Sequence, residues 1–112
     1  MIHVNYNKKK KEKLTEYEIS VKGHGEYAEY GKDIVCAAVS MLFTSAAQTL
    51  ADYNTEHPIK CFMYDLKGGN GYIQGSSNSR KVEGVFDMLI TGIEMVSDIY
   101  PENVAFMRSE QI

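Results

Sequence analysis

The chain has 112 residues, 44% of them hydrophobic and 24% charged, with a formal net charge of −3. That length is enough for one domain, residues 1–112, to bury a core without disulfide or metal staples. The acidic balance argues against a whole-molecule attraction to nucleic acid, and no uninterrupted apolar run approaches the roughly 18 residues of a membrane span. No signal peptide is visible at the N-terminus, so the expected location is the cytoplasm, where the two cysteines remain thiols. Two Cys and three His at scattered spacings do not make a structural zinc site, and no cofactor or metal is expected.

In chain order, Ile2, Val4 and Tyr6 alternate with polar residues, and Tyr17, Ile19 and Val21 repeat that two-residue period. The pattern predicts an antiparallel hairpin with the run Lys8-Lys9-Lys10-Lys11 at its solvated tip. Residues 22–32 break the period with Gly23, Gly25 and Gly31 and several charges, and predict a mobile surface loop of functional length. Asp33 is a good N-cap for an apolar helix from Ile34 to about Tyr53, with Val35, Ala38, Val39, Leu42, Ala46 and Leu50 as its core stripe.

His57-Pro58 ends that helix. Ile59 to Tyr64 predicts a buried strand carrying an inert, buried Cys61, and the Gly-Gly-Asn-Gly run at 68–71 a hairpin to a short strand, Tyr72 to Gln74. A second helix follows with Ser or Asn as its cap and Val82, Val85, Phe86, Leu89, Ile93 and Val96 inward, until Pro101 stops it. Val104 to Phe106 adds a last short strand. Met41, Met63, Met88 and Met95 fit core positions. The order β-β-α-β-β-α, with a final short β, predicts an α/β (α+β) two-layer sandwich: a mostly antiparallel sheet with both helices on one face.

The chemistry concentrates at Cys36 and His24. If Asp33 caps the helix, Cys36 falls in the first turn, where unpaired amides and the helix dipole favour thiolate over thiol. His24 rides twelve residues upstream on a glycine-hinged segment, so it can fold back as a general base and later acid. Taken singly, a helical cysteine among alanines is ordinarily a small core residue and a loop histidine ordinarily solvated. Their placement relative to the helix start is what raises the pair above that reading.

Asp33 can cap the helix or orient His24, and Ser40 lies one turn beyond Cys36 on the same face. Tyr27 and Tyr30 are candidates to meet apolar substrate side chains. Gly23-His24-Gly25-Glu26-Tyr27-Ala28 fits a dinucleotide fingerprint only on paper. The helix starts too late for it, and Glu26 and Glu29 would repel a pyrophosphate. A thiol redox role lacks a Cys-x-x-Cys pair.

Gly23-His24-Gly25-Glu26-Tyr27-Ala28 followed by Gly31-Lys32-Asp33-Ile34-Val35-Cys36-Ala37-Ala38-Val39-Ser40 closely resembles the ribosomal-processing cysteine protease family, Prp, whose pattern runs approximately G-H-A-x-Y-A-x-x-G-x-D-I-V-C-A-A-V-S. Gly25 stands where the family commonly has Ala. The resemblance implies a homodimeric α/β protease with a Cys–His dyad, Cys36 matching its nucleophile and His24 its base. Asp33 and Ser40 match positions beside the dyad, and the segment between His24 and Asp33, with Tyr27, Tyr30 and Gly31, matches a mobile substrate loop.

Family members remove a short N-terminal extension from a large-subunit ribosomal protein. Phage relatives are thought to process capsid or scaffold proteins. The expected partners are therefore a protein or peptide substrate, either a ribosomal protein precursor or a phage structural protein, and a second copy of the chain. The rival expectation is a non-catalytic homologue that binds such a protein without cutting it.

Overall fold

A computed structural model describes residues 1–23 and 33–111. Along these residues run β1 (Ile2–Lys10), β2 (Thr15–Lys22), α1 (Ile34–Asn54), β3 (Lys60–Lys67), β4 (Asn70–Ser77), α2 (Arg80–Ile99) and β5 (Val104–Gln111). The five strands form one sheet in the order β3-β4-β2-β1-β5. All neighbours pair antiparallel except β1 and β5, which run parallel from Ile2 opposite Val104 to Lys9 opposite Gln111. This is the predicted α+β sandwich, with a longer last strand than Val104 to Phe106.

The two-residue period of the strands decides which face is covered. Ile2, Val4, Tyr6, Tyr17, Ile19, Ile73 and Val104 are buried, whereas His3, Asn5, Asn7 and Glu18 between them are exposed. Both helices pack on the buried side. From α1 come Val35, Val39, Phe43, Ala46, Ala47 and Leu50, and from α2 Val82, Phe86, Leu89, Ile90 and Ile93, all in one continuous core. Helix α1 has the length and mean hydropathy, 1.7, of a membrane span. Its six buried residues face the sheet, so much of that apolar content belongs to the core.

Several expectations need correcting. Ala38 is exposed and Leu42 only half-buried, because the stripe against the sheet turns through Phe43 and Ala47 instead. Lys8 to Lys10 belong to β1, and the turn is residues 11–14, closed by the Lys11 amide donating to the Leu14 carbonyl. Met41, Met63, Met88 and Met95 are 64%, 52%, 74% and 60% exposed: they lie on outer faces and fill no core. Strand β3 is an exposed edge, not a buried strand, because among the described residues nothing pairs beyond it in the sheet order. Cys61 is accordingly exposed. It sits at a register shift between Lys60 and Met63, with φ of +55°, a left-handed conformation that costs a non-glycine residue on the order of 1 kcal/mol.

Beneath α2, Phe86 stacks on Tyr17 at 4.5 Å and contacts Tyr6 at 6.4 Å between ring centroids. Among the described residues the buried Tyr6 hydroxyl has no hydrogen-bond partner. Burial pushes the Tyr17 phenol up to about 12 and that of Tyr6 further in the same direction. Raised folded-state values favour the neutral phenols. Their contribution to stability is therefore full below pH 10, the ordinary tyrosine value, and is lost as pH rises through about 12. Tyr6→Phe removes an unsatisfied buried hydroxyl at nearly constant shape. It should leave stability at pH 7 equal or up to about 1 kcal/mol higher, and move the alkaline unfolding midpoint upward, as read by urea denaturation and a pH titration of circular dichroism.

Candidate active site

Helix α1 begins at its N-cap, Asp33. The Asp33 backbone is extended (φ −79°, ψ 102°), and its carboxylate accepts from the Val35 amide at 2.9 Å and the Cys36 amide at 3.0 Å. The Ala37 amide donates to the Asp33 carbonyl at 3.1 Å. Asp33 is only 9% exposed, so the two charge-assisted bonds hold a carboxylate largely removed from water. Cys36 is thereby fixed at the third helical position, half-buried and packed against the margin of the core.

This capping corrects the expectation that first-turn amides are spare. Those of Val35 and Cys36 already serve Asp33, so neither is available to a Cys36 thiolate or to a substrate oxyanion without breaking the cap.

Cys36 lines a cleft of about 760 Å³. One wall is α1, through Asp33, Cys36, Ala37, Ser40 and Thr44; the opposite wall is the β3–β4 turn, from Leu66 through Gly68 and Gly69 to Gly71. Ile2, Val21, Val39 and Phe43 supply apolar floor. Of the predicted site residues, Cys36, Asp33, Ser40 and Gly23 thus come together around one cavity. His24, Gly25, Tyr27, Tyr30 and Gly31 lie outside the described residues.

Gly23 is the end point from which that segment departs. Its amide donates to the Gly69 carbonyl at 2.9 Å, tying the end of β2 to the β3–β4 turn. Its φ is +96°, and a Cβ there would overlap the Met1 carbonyl oxygen, so only glycine fits. Sequence alone predicts the β3–β4 turn only as a hairpin loop. The signal that it borders the cleft is tertiary, since Lys22 pairs with Asn70 across β2 and β4.

A capped helix presenting a first-turn cysteine to a cleft with an apolar floor, on an α+β sandwich, is the arrangement of a candidate thiol nucleophile. The chain belongs to the family of cysteine protease Prp, whose model matches residues 1–105. It is 26% identical over 88 residues to the ribosomal processing cysteine protease Prp of Staphylococcus aureus, covering 78% of this chain and 81% of that one.

Among solved structures, the S. aureus Prp in complex with a covalently linked product peptide is similar, with a TM-score of 0.77 at 20% identity over 96% of this chain and 99% of that one. A protein of Streptococcus mutans matches with a TM-score of 0.70 at 27% identity, covering 99% and 96% of the two chains.

Two substitutions test the geometry. Asp33→Ala should lower stability by about 1–2 kcal/mol through loss of the cap, while Asp33→Asn should recover most of it, both read by urea denaturation. Gly23→Ala should cost more than the ~1 kcal/mol ordinarily charged for a non-glycine residue at positive φ, because the Met1 carbonyl must also move.

Proposed function

We propose that this cysteine protease is an endopeptidase using Cys36 as nucleophile and His24 as general base, and that it trims a short N-terminal extension from a ribosomal protein precursor. The observation that carries the reading is the placement of Cys36: a half-buried thiol on a capped helix start, facing a cleft with an apolar floor. Gly23, covalently joined to His24, lines the same cleft, which supports a base at its rim. The substrate follows from the relative of S. aureus, which is named for ribosomal processing.

In the reaction, His24 accepts the Cys36 proton as Sγ attacks the scissile carbonyl. The resulting tetrahedral intermediate expels the amine, which takes the proton back from His24, and leaves an acyl group on Cys36. Water, deprotonated by His24, then attacks the thioester and restores the thiol. The oxyanion is held by donors other than the Val35 and Cys36 amides while the Asp33 cap persists. Asp33 acts as a positioning residue for the nucleophile, and Ser40, one turn along α1 and on the cleft wall, is placed to meet substrate.

A working location in the cytoplasm and assembly as a homodimer belong to the same proposal. Support for the second is the exposed apolar set Met41 on α1 and Met88, Met95 and Ile99 on α2, on the helix layer away from the sheet. Three of these recur at 88, 95 and 99 on one helix, the spacing of a single face.

Cys36→Ala and His24→Ala should each abolish cleavage of a precursor peptide, by at least about 10³-fold in kcat/KM, with thermal unfolding unchanged within a few degrees. Iodoacetamide should label Cys36 fastest in the wild type and more slowly in His24→Ala. Full cleavage by Cys36→Ala rules the reading out. Sedimentation at micromolar concentration should give a dimer; a monomer there counts against the assembly.

A further inference from the structure

Helix α1 carries the Cys36 cleft at its start, and a second cavity, of about 380 Å³, lies at its far end against the first turn of α2. Thr49, Asp52, Tyr53, Glu56, His57 and Lys81 line it. The Tyr53 hydroxyl is 2.8 Å from Ser79 Oγ, which holds the ring in place. The His57 ring stacks on it at 4.7 Å between centroids, and the Lys81 ammonium is 5.4 Å from its centre. The cavity thus joins an aromatic wall to two carboxylates, which outweigh its one ammonium.

Those carboxylates stand where the helix itself disfavours them. The C-terminal end of a helix is its negative pole, and cations are the charges that stabilise it. Helix α1 has no basic residue in its last turn; Asp52 lies in that turn and Glu56 just beyond the C-cap, Thr55. Gln48 Nε2 donates to one Asp52 oxygen at 2.9 Å. Among the described residues neither Asp52 nor Glu56 forms an ion pair. A planar cation between them is favoured by both carboxylates and by the helix dipole, and its face can lie against the aromatic wall.

A track leads from this cavity back to Cys36. Ser40, Thr44, Gln48 and Asp52 recur at four-residue intervals, all exposed, and form one ridge along α1. Ser40 and Thr44 belong to the wall of the Cys36 cleft, and Asp52 to the second cavity. No charged residue falls between Asp33 and Asp52, so a chain laid along the ridge meets no charge before the cavity. The helical rise from Cys36 to Asp52 is about 24 Å, which an extended chain covers in about seven residues.

We propose that the cavity at the end of α1 is an exosite for an arginine side chain of the substrate protein, about seven or more residues C-terminal to the scissile bond. It holds the body of a basic precursor while the short extension is cut. This deepens the peptidase reading and rests on it. A guanidinium suits the site better than an ammonium, because its planar fork meets carboxylates and its face stacks on an aromatic ring. A protein that lies on ribosomal RNA neutralises phosphates with arginine and lysine, so a ribosomal substrate carries such side chains. Binding this far from the reacting atoms is equal in the ground and transition states, and therefore acts on KM and not on kcat.

The test is steady-state cleavage of peptides that share one cleavage sequence. One ends shortly after it; the others carry an uncharged flexible linker with a single arginine whose distance from the scissile bond is scanned on both sides. KM should fall about tenfold once the arginine stands about seven residues away on the C-terminal side, with kcat unchanged. Citrulline, which keeps the shape without the charge, should give no gain. Asp52→Asn and Glu56→Gln should each remove most of the gain, so that the arginine peptide is cut no better than the short one. Asp98→Asn, an equal change of charge at an exposed position of α2, should keep it. A gain absent at every spacing, confined to the N-terminal side, kept with citrulline, undiminished in Asp52→Asn and Glu56→Gln, or lost equally in Asp98→Asn overturns the proposal while the peptidase reading stands. If the wild type cuts none of the peptides, that reading falls and this inference with it.

Discussion

The Asp33 carboxylate, nearly withdrawn from solvent and shared between the Val35 and Cys36 amides, is the constraint on which the site depends. A charge in that position is tolerable because it is spent on two donors at the positive end of a helix. The same two bonds set the first turn of α1, and with it the direction of the Cys36 side chain. Val35, immediately before Cys36, is fully buried in the core. Rotating α1 to re-aim the thiol would therefore expose Val35 and Val39, so the orientation of Cys36 is held by the hydrophobic core as well as by the cap.

Opposite this rigid wall is one built of turn and edge strand. The Gly23 amide bonded to Gly69 joins the end of β2 to the β3–β4 turn, and the glycine conformation at 23 lets the chain pass close to Met1. The two walls thus have different character. Cys36 rests on a helix docked over the core, whereas the facing wall is short backbone with few side chains. That division suits a protease, in which the attacking atom must stay fixed while chains of varying sequence are admitted beside it.

The edge position of β3 leaves its two ends held to different degrees. Pairing only with β4, it gains less from burial than its neighbours, and it carries both the strained Cys61 and the open apolar residues Tyr64 and Leu66. Ile59, just before β3, is buried and closes over Gly75, where an added Cβ would meet its Cγ2 at 2.8 Å. The start of the strand is thereby pinned near the core, while its far end borders the cleft.

Local information in the chain was sufficient for much of this. The alternation of Ile2, Val4, Tyr6 and of Tyr17, Ile19, Val21 specifies strands with one buried face, because a two-residue period admits no other arrangement of those side chains. Asp33 ahead of an apolar run specifies the helix start, and the run 23–40 identifies the family together with the candidate nucleophile at 36. Those features act over a few residues and leave a pattern in order.

Burial of β3, Cys61 and the four methionines was not legible, since hydrophobicity states what a residue can bury and not whether a partner layer reaches it. Nor was the cleft wall at residues 66–71, which depends on β2 pairing with β4 nearly fifty residues away. Pairing across that distance is decided by how the strands and helices jointly cover one core, a property of the assembled sheet that no single stretch of sequence carries.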